Sequence, residues 1–144
     1  MQLTRYTDYS LRVLMFLAAR PERLATIQEI AEAYDISRGH VMKVVRGLTA
    51  HGFVDGLRGR GGGVQLARDA SEIGLGEVVR LTEENVALVQ CLGADGDCVI
   101  EPACGLQGAL AQALEAFFDC LDQYTLADLV KKRGRLAQLL QISA

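Results

Sequence analysis

Three of the chain's four cysteines stand together in the segment CLGADGDCVIEPAC, with six residues between Cys91 and Cys98 and five between Cys98 and Cys104. Thiolates are soft ligands, suited to iron–sulfur clusters, zinc or copper(I) rather than to magnesium or calcium. Paired C-x-x-C motifs, which would mark a zinc ribbon, are absent. Three thiols on a Gly- and Asp-rich loop can instead wrap a larger object, and clusters are held at varied spacings. A thiol–disulfide switch, a zinc site and three unrelated small residues are the other readings, and the spacing leaves them open. A four-iron cluster on three cysteines needs one more ligand. Cys120, beside Phe117 and Phe118, reads as a buried core thiol.

A second set of residues points to an anionic partner. The chain of 144 residues carries a net charge of −3. Residues 1–70 hold ten Lys/Arg against seven Asp/Glu, whereas residues 71–144 hold five against eleven. Within 37–68, Arg38, Lys43, Arg46, Arg58, Arg60 and Arg68 face one acid, Asp55. A basic patch on an acidic protein is the footprint of a localised polyanion.

The elements around that patch give it a shape. Tyr6, Ser10, Val13, Leu14 and Leu17 recur at helical spacing, predicting a helix over about 7–19 that Pro21 ends. Thr26-Ile-Gln-Glu29 is a capping box opening a short helix. YDIS makes a turn, and Ser37 caps a third helix with Val41, Val44, Val45 and Leu48 inward and Gly52 at its end. Two short helices across a tight turn fit a helix-turn-helix. Ser37, Arg38, His40, Lys43 and Arg46 then lie on the reading surface, with Met42 and Thr49 also outward. Strand-like runs at 53–57 and 64–67 flank RGRGGG, so Arg58 and Arg60 sit at the tip of a hairpin wing, suited to phosphates or a minor groove. Each of these residues alone fits a solvated face; their order along the chain favours double-stranded DNA.

The second half predicts a helix over 71–82, the thiol loop, and a long helix after Pro102 to about 123. Leu106, Leu110, Ala113, Phe117, Leu121 and Tyr124 alternate four- and three-residue steps, and Leu114 and Phe118 add a second stripe. One chain offers little to cover both, so a two-fold homodimer through this helix is expected. Thr125-Leu-Ala-Asp128 caps a last short helix ending in KKRGR. The expected fold is mainly α with a small β-hairpin wing. It divides into a winged helix-turn-helix (1–70), a short helix with the cysteine loop (71–103), and a dimerisation helix with a C-terminal helix (104–144). RGRGGG matches no nucleotide-phosphate motif, and the two histidines lie in the DNA-reading segment, so no enzyme is expected. No apolar run suits a membrane span, and no export signal is read at the N-terminus, so the expected compartment is the reducing cytoplasm.

Taken together, MQLTRYTDYSLRVL, ISRGHVMKVVRGL, GFVDGLRGRGGGVQL, the three-cysteine loop and YTLADLV resemble the winged-helix iron–sulfur regulators, the family that includes IscR, and within it the nitric-oxide-sensing repressors. The resemblance spans nearly the whole chain. It implies a homodimeric repressor of nitrosative-stress genes whose operator is released when nitric oxide reaches an iron–sulfur cluster, 4Fe-4S in preference to 2Fe-2S. It implies Cys91, Cys98 and Cys104 as ligands, with Asp8 donated by the partner subunit as the fourth. Thr7 and Asp8 at a helix start also fit a capping role. IscR-like relatives carry a histidine three residues after the last cysteine; here Gln107, a poor iron ligand, departs from that pattern and points away from cluster-supply sensing.

Overall fold

The computed structural model describes residues 2–92, 98–100 and 103–142. Helix α1 (Arg5–Ala19) is the hub: α2 (Ile27–Tyr34), α3 (Arg38–Ala50), α4 (Leu75–Thr82), α6 (Leu126–Leu129), α7 (Arg133–Leu139) and the second wing strand all pack on it. Val13, Leu14, Phe16, Leu17 and Ala18 are buried, so the helix is covered on more than one side. Its two buried hydroxyls are satisfied. Ser10 Oγ donates to the Tyr6 carbonyl at 2.7 Å, and Thr7 Oγ1 lies 3.1 Å from Thr4 Oγ1.

The helix begins two residues earlier than its apolar spacing suggests. Thr4, not Thr7 or Asp8, is the N-cap, its hydroxyl accepting from Thr7 N. Thr7 is instead fully buried.

The helix-turn-helix forms as expected. Thr26 and Glu29 complete the capping box of α2, and Asp35 turns the chain in the left-handed region (φ 52°). Ser37 caps α3, with Val41, Val44, Val45 and Leu48 inward. At the far end Phe53 N donates to Leu48 O and Gly52 N to Thr49 O, the paired bonds of a Schellman stop.

The wing is the antiparallel pair β1 (Val54–Leu57) and β2 (Gly63–Leu66), each within a residue of the expected bounds, with Val54 opposite Leu66 and Leu57 opposite Gly63. Gly59 and Gly61 hold the tip at φ of 103° and 80°, values that side chains avoid. Ala25 and Val64 exchange both backbone bonds (2.9 and 2.8 Å), so the hairpin is stitched to the segment before α2.

Three expectations for the second half need correction. The helix predicted over 71–82 is a 3-10 turn (Ala70–Glu72) followed by α4, because Ile73 and Gly74 are extended. That extension lets Ile73 O accept from Leu126 N (2.8 Å) and Leu75 N donate to Tyr124 O (2.9 Å), a local gain that outweighs two more helical residues. The last helix does not run through KKRGR: α6 ends at Leu129, and a further helix, α7, returns to α1. Cys120 is exposed, not buried. Phe118 packs toward α4, and two residues further on the helix has turned by about 200°, which carries Cys120 to the opposite side.

Helix α5 (Gly105–Asp122) touches α4, where Phe118 is its one buried side chain among the described residues. Arg80 lies over the Phe118 ring (4.3 Å) and forks onto Asp122 with two bonds of 2.7 Å. The predicted seam is partly covered: Leu110, Phe117 and Leu121 are half-buried, whereas Leu106 is 64% and Tyr124 47% exposed. Pro102, expected just before this helix, lies outside the described residues.

Candidate functional site

The reading surface is built by the cap of α3. Ser37 Oγ accepts from His40 N at 3.3 Å and lies 2.9 Å from His40 Nδ1, so one hydroxyl fixes both the helix start and the imidazole. Arg38, His40, Met42, Lys43, Arg46 and Thr49 are all exposed, opposite the buried valines. Arg58 and Arg60 are exposed at the wing tip. Among the described residues none of Arg38, Lys43, Arg46, Arg58 and Arg60 is in an ion pair, which leaves five guanidinium or ammonium groups for phosphates or base edges. Arg68, counted with them from sequence, is committed elsewhere: it pairs with Glu77 at 3.0 Å and stacks on Phe53 at 4.9 Å.

Behind α3 the first turn of α1 makes contacts that periodicity did not reveal. The Tyr6 hydroxyl sits where a Cβ of Gly47 would stand. Lys43 Nζ lies 5.9 Å from the Tyr6 ring centroid, and the Tyr9 ring lies 5.9 Å from that of His40. A glycine in mid-helix facing a tyrosine-rich turn was the available signal.

Asp8 projects from the same turn. Arg12 Nε lies 3.1 Å from one carboxylate oxygen and 3.0 Å from the other, and the Asp8 side chain is 46% exposed. The Arg12 guanidinium also lies 5.8 Å from the Tyr34 ring. Burial pushes the Tyr34 phenol up to about 12, the nearby Arg12 opposing the rise.

The thiols lie in the segment between α4 and α5. Cys91 is in a 3-10 turn (Gln90–Leu92), and Cys104 occupies the N-cap position of α5 without a side-chain cap bond. Gln107 Nε2 donates to Cys91 O at 3.1 Å, tying that turn to the start of α5. All four cysteines are free; Cys98 is exposed, and Cys91 and Cys104 are half-buried. The loop residues 93–97 and 101–102 lie outside the described set. Among the described residues of one protomer, no three Cys, His, Asp or Glu side chains are gathered into a metal-holding group. Asp8 and the thiols stand on separate elements. Glu83, just before the loop, accepts from Thr4 N (2.7 Å) and Thr4 Oγ1 (3.1 Å), so the loop's root is joined to the cap of α1. Burial raises the Glu83 carboxyl, and hydrogen bonds from Thr7 and Thr4 outweigh it, leaving the group below its ordinary value.

This fold and sequence have known counterparts. The family model of Rrf2, described as an iron-dependent transcriptional regulator, matches residues 3–132. The chain belongs to the Rrf2 family. The HTH-type transcriptional regulator NsrR of Bacillus subtilis (strain 168) is 51% identical over 144 residues, covering 99% of each chain. The structure of CymR, the global cysteine regulator of B. subtilis, superposes with a TM-score of 0.77 at 22% identity, over 92% of this chain and 98% of that one. T. potens IscR superposes at 0.72 with 23% identity, over 92% and 88%. At such identities these two structures establish the Rrf2 fold: winged helix-turn-helix, mainly helical, with one small hairpin. This Rrf2 member is a transcriptional regulator and not an enzyme. Among the described residues no helix is long and apolar enough to cross a membrane.

Proposed function

We propose that this chain is a homodimeric, iron–sulfur-dependent repressor that holds double-stranded operator DNA and releases it when nitric oxide arrives, governing nitrosative-stress genes in the cytoplasm. The observation that carries the reading is the winged head, whose α3 and wing present five basic groups outside any ion pair among the described residues, on a chain that also holds free thiols at Cys91, Cys98 and Cys104. The similarity to NsrR across the whole length supports it.

The donor set fits the group. Three thiolates suit iron, and none is consumed in a disulfide. Cys91, Cys98 and Cys104 would hold the cluster, 4Fe-4S in preference to 2Fe-2S, and the partner's Asp8 would supply the remaining ligand. When bound, the cluster supplies iron that reacts with nitric oxide. Gln107 is engaged with the Cys91 carbonyl, so its side chain serves the loop's shape and not the iron.

The rest is done by the protein. The uncovered face of α5 pairs two chains. The pairing sets two winged heads against half-sites about 34 Å apart. Residues 1–70 read DNA, 71–103 carry the sensor and 104–144 the dimer contact. Ser37, Arg38 and His40 approach bases at the start of α3, while Lys43, Arg46, Arg58 and Arg60 meet phosphates. Asp8, if engaged by the partner's cluster, would anchor the turn of α1 that supports α3, and binding through two heads falls steeply when their spacing shifts.

Protein purified without oxygen should be brown, contain iron and sulfide, and bind operator as a dimer. Nitric oxide should bleach it and release DNA. Asp8→Ala should keep part of the cluster with altered reactivity. Brown protein indifferent to nitric oxide would move the reading to a sensor of cluster supply. Colourless protein that binds operator equally with chelator would leave a zinc or thiol switch.

A further inference from the structure

The first turn of α1 is tied to the loop's root on one side and to the recognition helix on the other. Glu83 holds its cap through Thr4, and Asp8 projects from it toward Arg12. Tyr6 and Tyr9, one turn apart, point instead to α3. Tyr9 meets His40 in the first turn of α3, with ring centroids 5.9 Å apart and planes inclined at 47°. Tyr6 seats its hydroxyl against Gly47, two turns further along, and its ring faces Lys43 Nζ. The two contacts are therefore roughly 10 Å apart along α3. Two contacts spaced along one face fix the direction in which a helix runs, where one would leave it free to pivot.

The residues touched carry the consequence. His40 and Lys43 belong to the DNA-reading set, and His40 is also locked by Ser37. Gly47 alone of the three has no side chain, and it is the one place where α1 and α3 approach too closely for a Cβ. Tyr6 and Tyr9 are both half-buried and flank Asp8 in sequence.

We propose that Tyr6 and Tyr9 are positioning residues that carry the state of the Asp8 turn to the recognition helix, so that they set the ratio of operator affinities between the cluster-loaded and cluster-free protein. The inference rests on the function proposed above. Displacing this turn moves both tyrosines as a unit and re-aims His40 and Lys43 together, without requiring α3 to unfold.

The test uses the full-length dimer, prepared without oxygen, with Tyr6→Leu, Tyr9→Leu and the double substitution, and Tyr9→Phe as the conservative control. Operator affinity is measured with and without cluster, alongside visible circular dichroism of the cluster and urea unfolding. The expected result is an unchanged cluster spectrum and an affinity ratio that falls at least about fivefold in the leucine variants and is restored in Tyr9→Phe. In isotope-labelled wild type, removing the cluster should also shift the His40 ring resonances, and Tyr9→Leu should abolish that shift. Equal weakening of both forms, with the ratio intact, would overturn the inference and leave the tyrosines as packing groups. A destabilised Tyr6→Leu protein does not spare it, because Tyr9→Leu against Tyr9→Phe reads the same ratio at the exposed end. A wild-type ratio of one would overturn the proposed function itself, and the coupling with it.

Discussion

The Tyr6 hydroxyl occupies the space that a side chain at Gly47 would need. Glycine in a helix interior costs about 1 kcal/mol relative to alanine, so this position is held against local propensity. In a background where Tyr6 is replaced by alanine, Gly47→Ala should recover about 1 kcal/mol of stability. In the wild type it should recover none. Urea unfolding of the four proteins gives the coupling directly; additivity within about 0.3 kcal/mol would mean the two residues do not share that space.

Gly63 starts β2 where the wing meets the segment before α2. A Cβ there would come 2.7 Å from the Ala25 carbonyl oxygen, a backbone atom fixed by its own bond to Val64. Gly63→Ala should therefore cost about 1–3 kcal/mol. Gly56, on the facing strand, has nothing within 4 Å of its Cβ position. Gly56→Ala should be close to neutral, and equal effects at the two positions would refute the steric account.

The wing and the recognition helix should fail in different ways. Arg60→Ala removes a tip charge and should weaken operator and unrelated duplex alike, lowering the slope of log affinity against log salt by about 1. Arg38→Ala should instead narrow the gap between operator and a base-substituted site, by about 1–3 kcal/mol for the base it reads. Titrations at several salt concentrations separate the two. Identical profiles would place both arginines on phosphates.

Asp128 is pulled down to about 2 by the Thr125 backbone N–H, by Lys131 and by the Thr125 hydroxyl. A carboxyl lower in the folded chain than its ordinary 3.8 stabilises the fold above that ordinary value. The contribution is lost as pH falls from there toward 2. Wild type should thus exceed Asp128→Ala in stability at neutral pH, and the gap should close across that acid range. A carboxyl-carbon titration by NMR that put Asp128 near 3.8 would contradict the capping geometry.

Much of this protein is legible residue by residue. The box at Thr26 and Glu29, the cap at Ser37, the stop at Gly52 and the hairpin around RGRGGG are local devices whose partners lie within a few positions, so spacing alone finds them. The exposure of Arg38, Lys43 and Arg46 followed from helical spacing, and that of Arg58 and Arg60 from the hairpin tip. The three thiols at 91, 98 and 104 are neighbours in the sequence itself.

Contacts between distant segments escaped that logic. Thr4 rather than Thr7 starts α1 because Glu83, 79 positions away, reaches its backbone. The chain breaks at Ile73 and Gly74 because Leu126 N donates to Ile73 O and Tyr124 O accepts from Leu75 N. Arg68 leaves the basic patch for Glu77 and Phe53, and Cys120 turns outward once Phe118 has chosen α4. The sequence by itself determined the local elements and the chemistry they carry, because caps, turns and periodicity act over a few residues. Only the tertiary structure decided that Tyr6 and Tyr9 grip the recognition helix at Gly47 and His40, because a contact across helices depends on which faces meet, and no spacing within one helix encodes that choice.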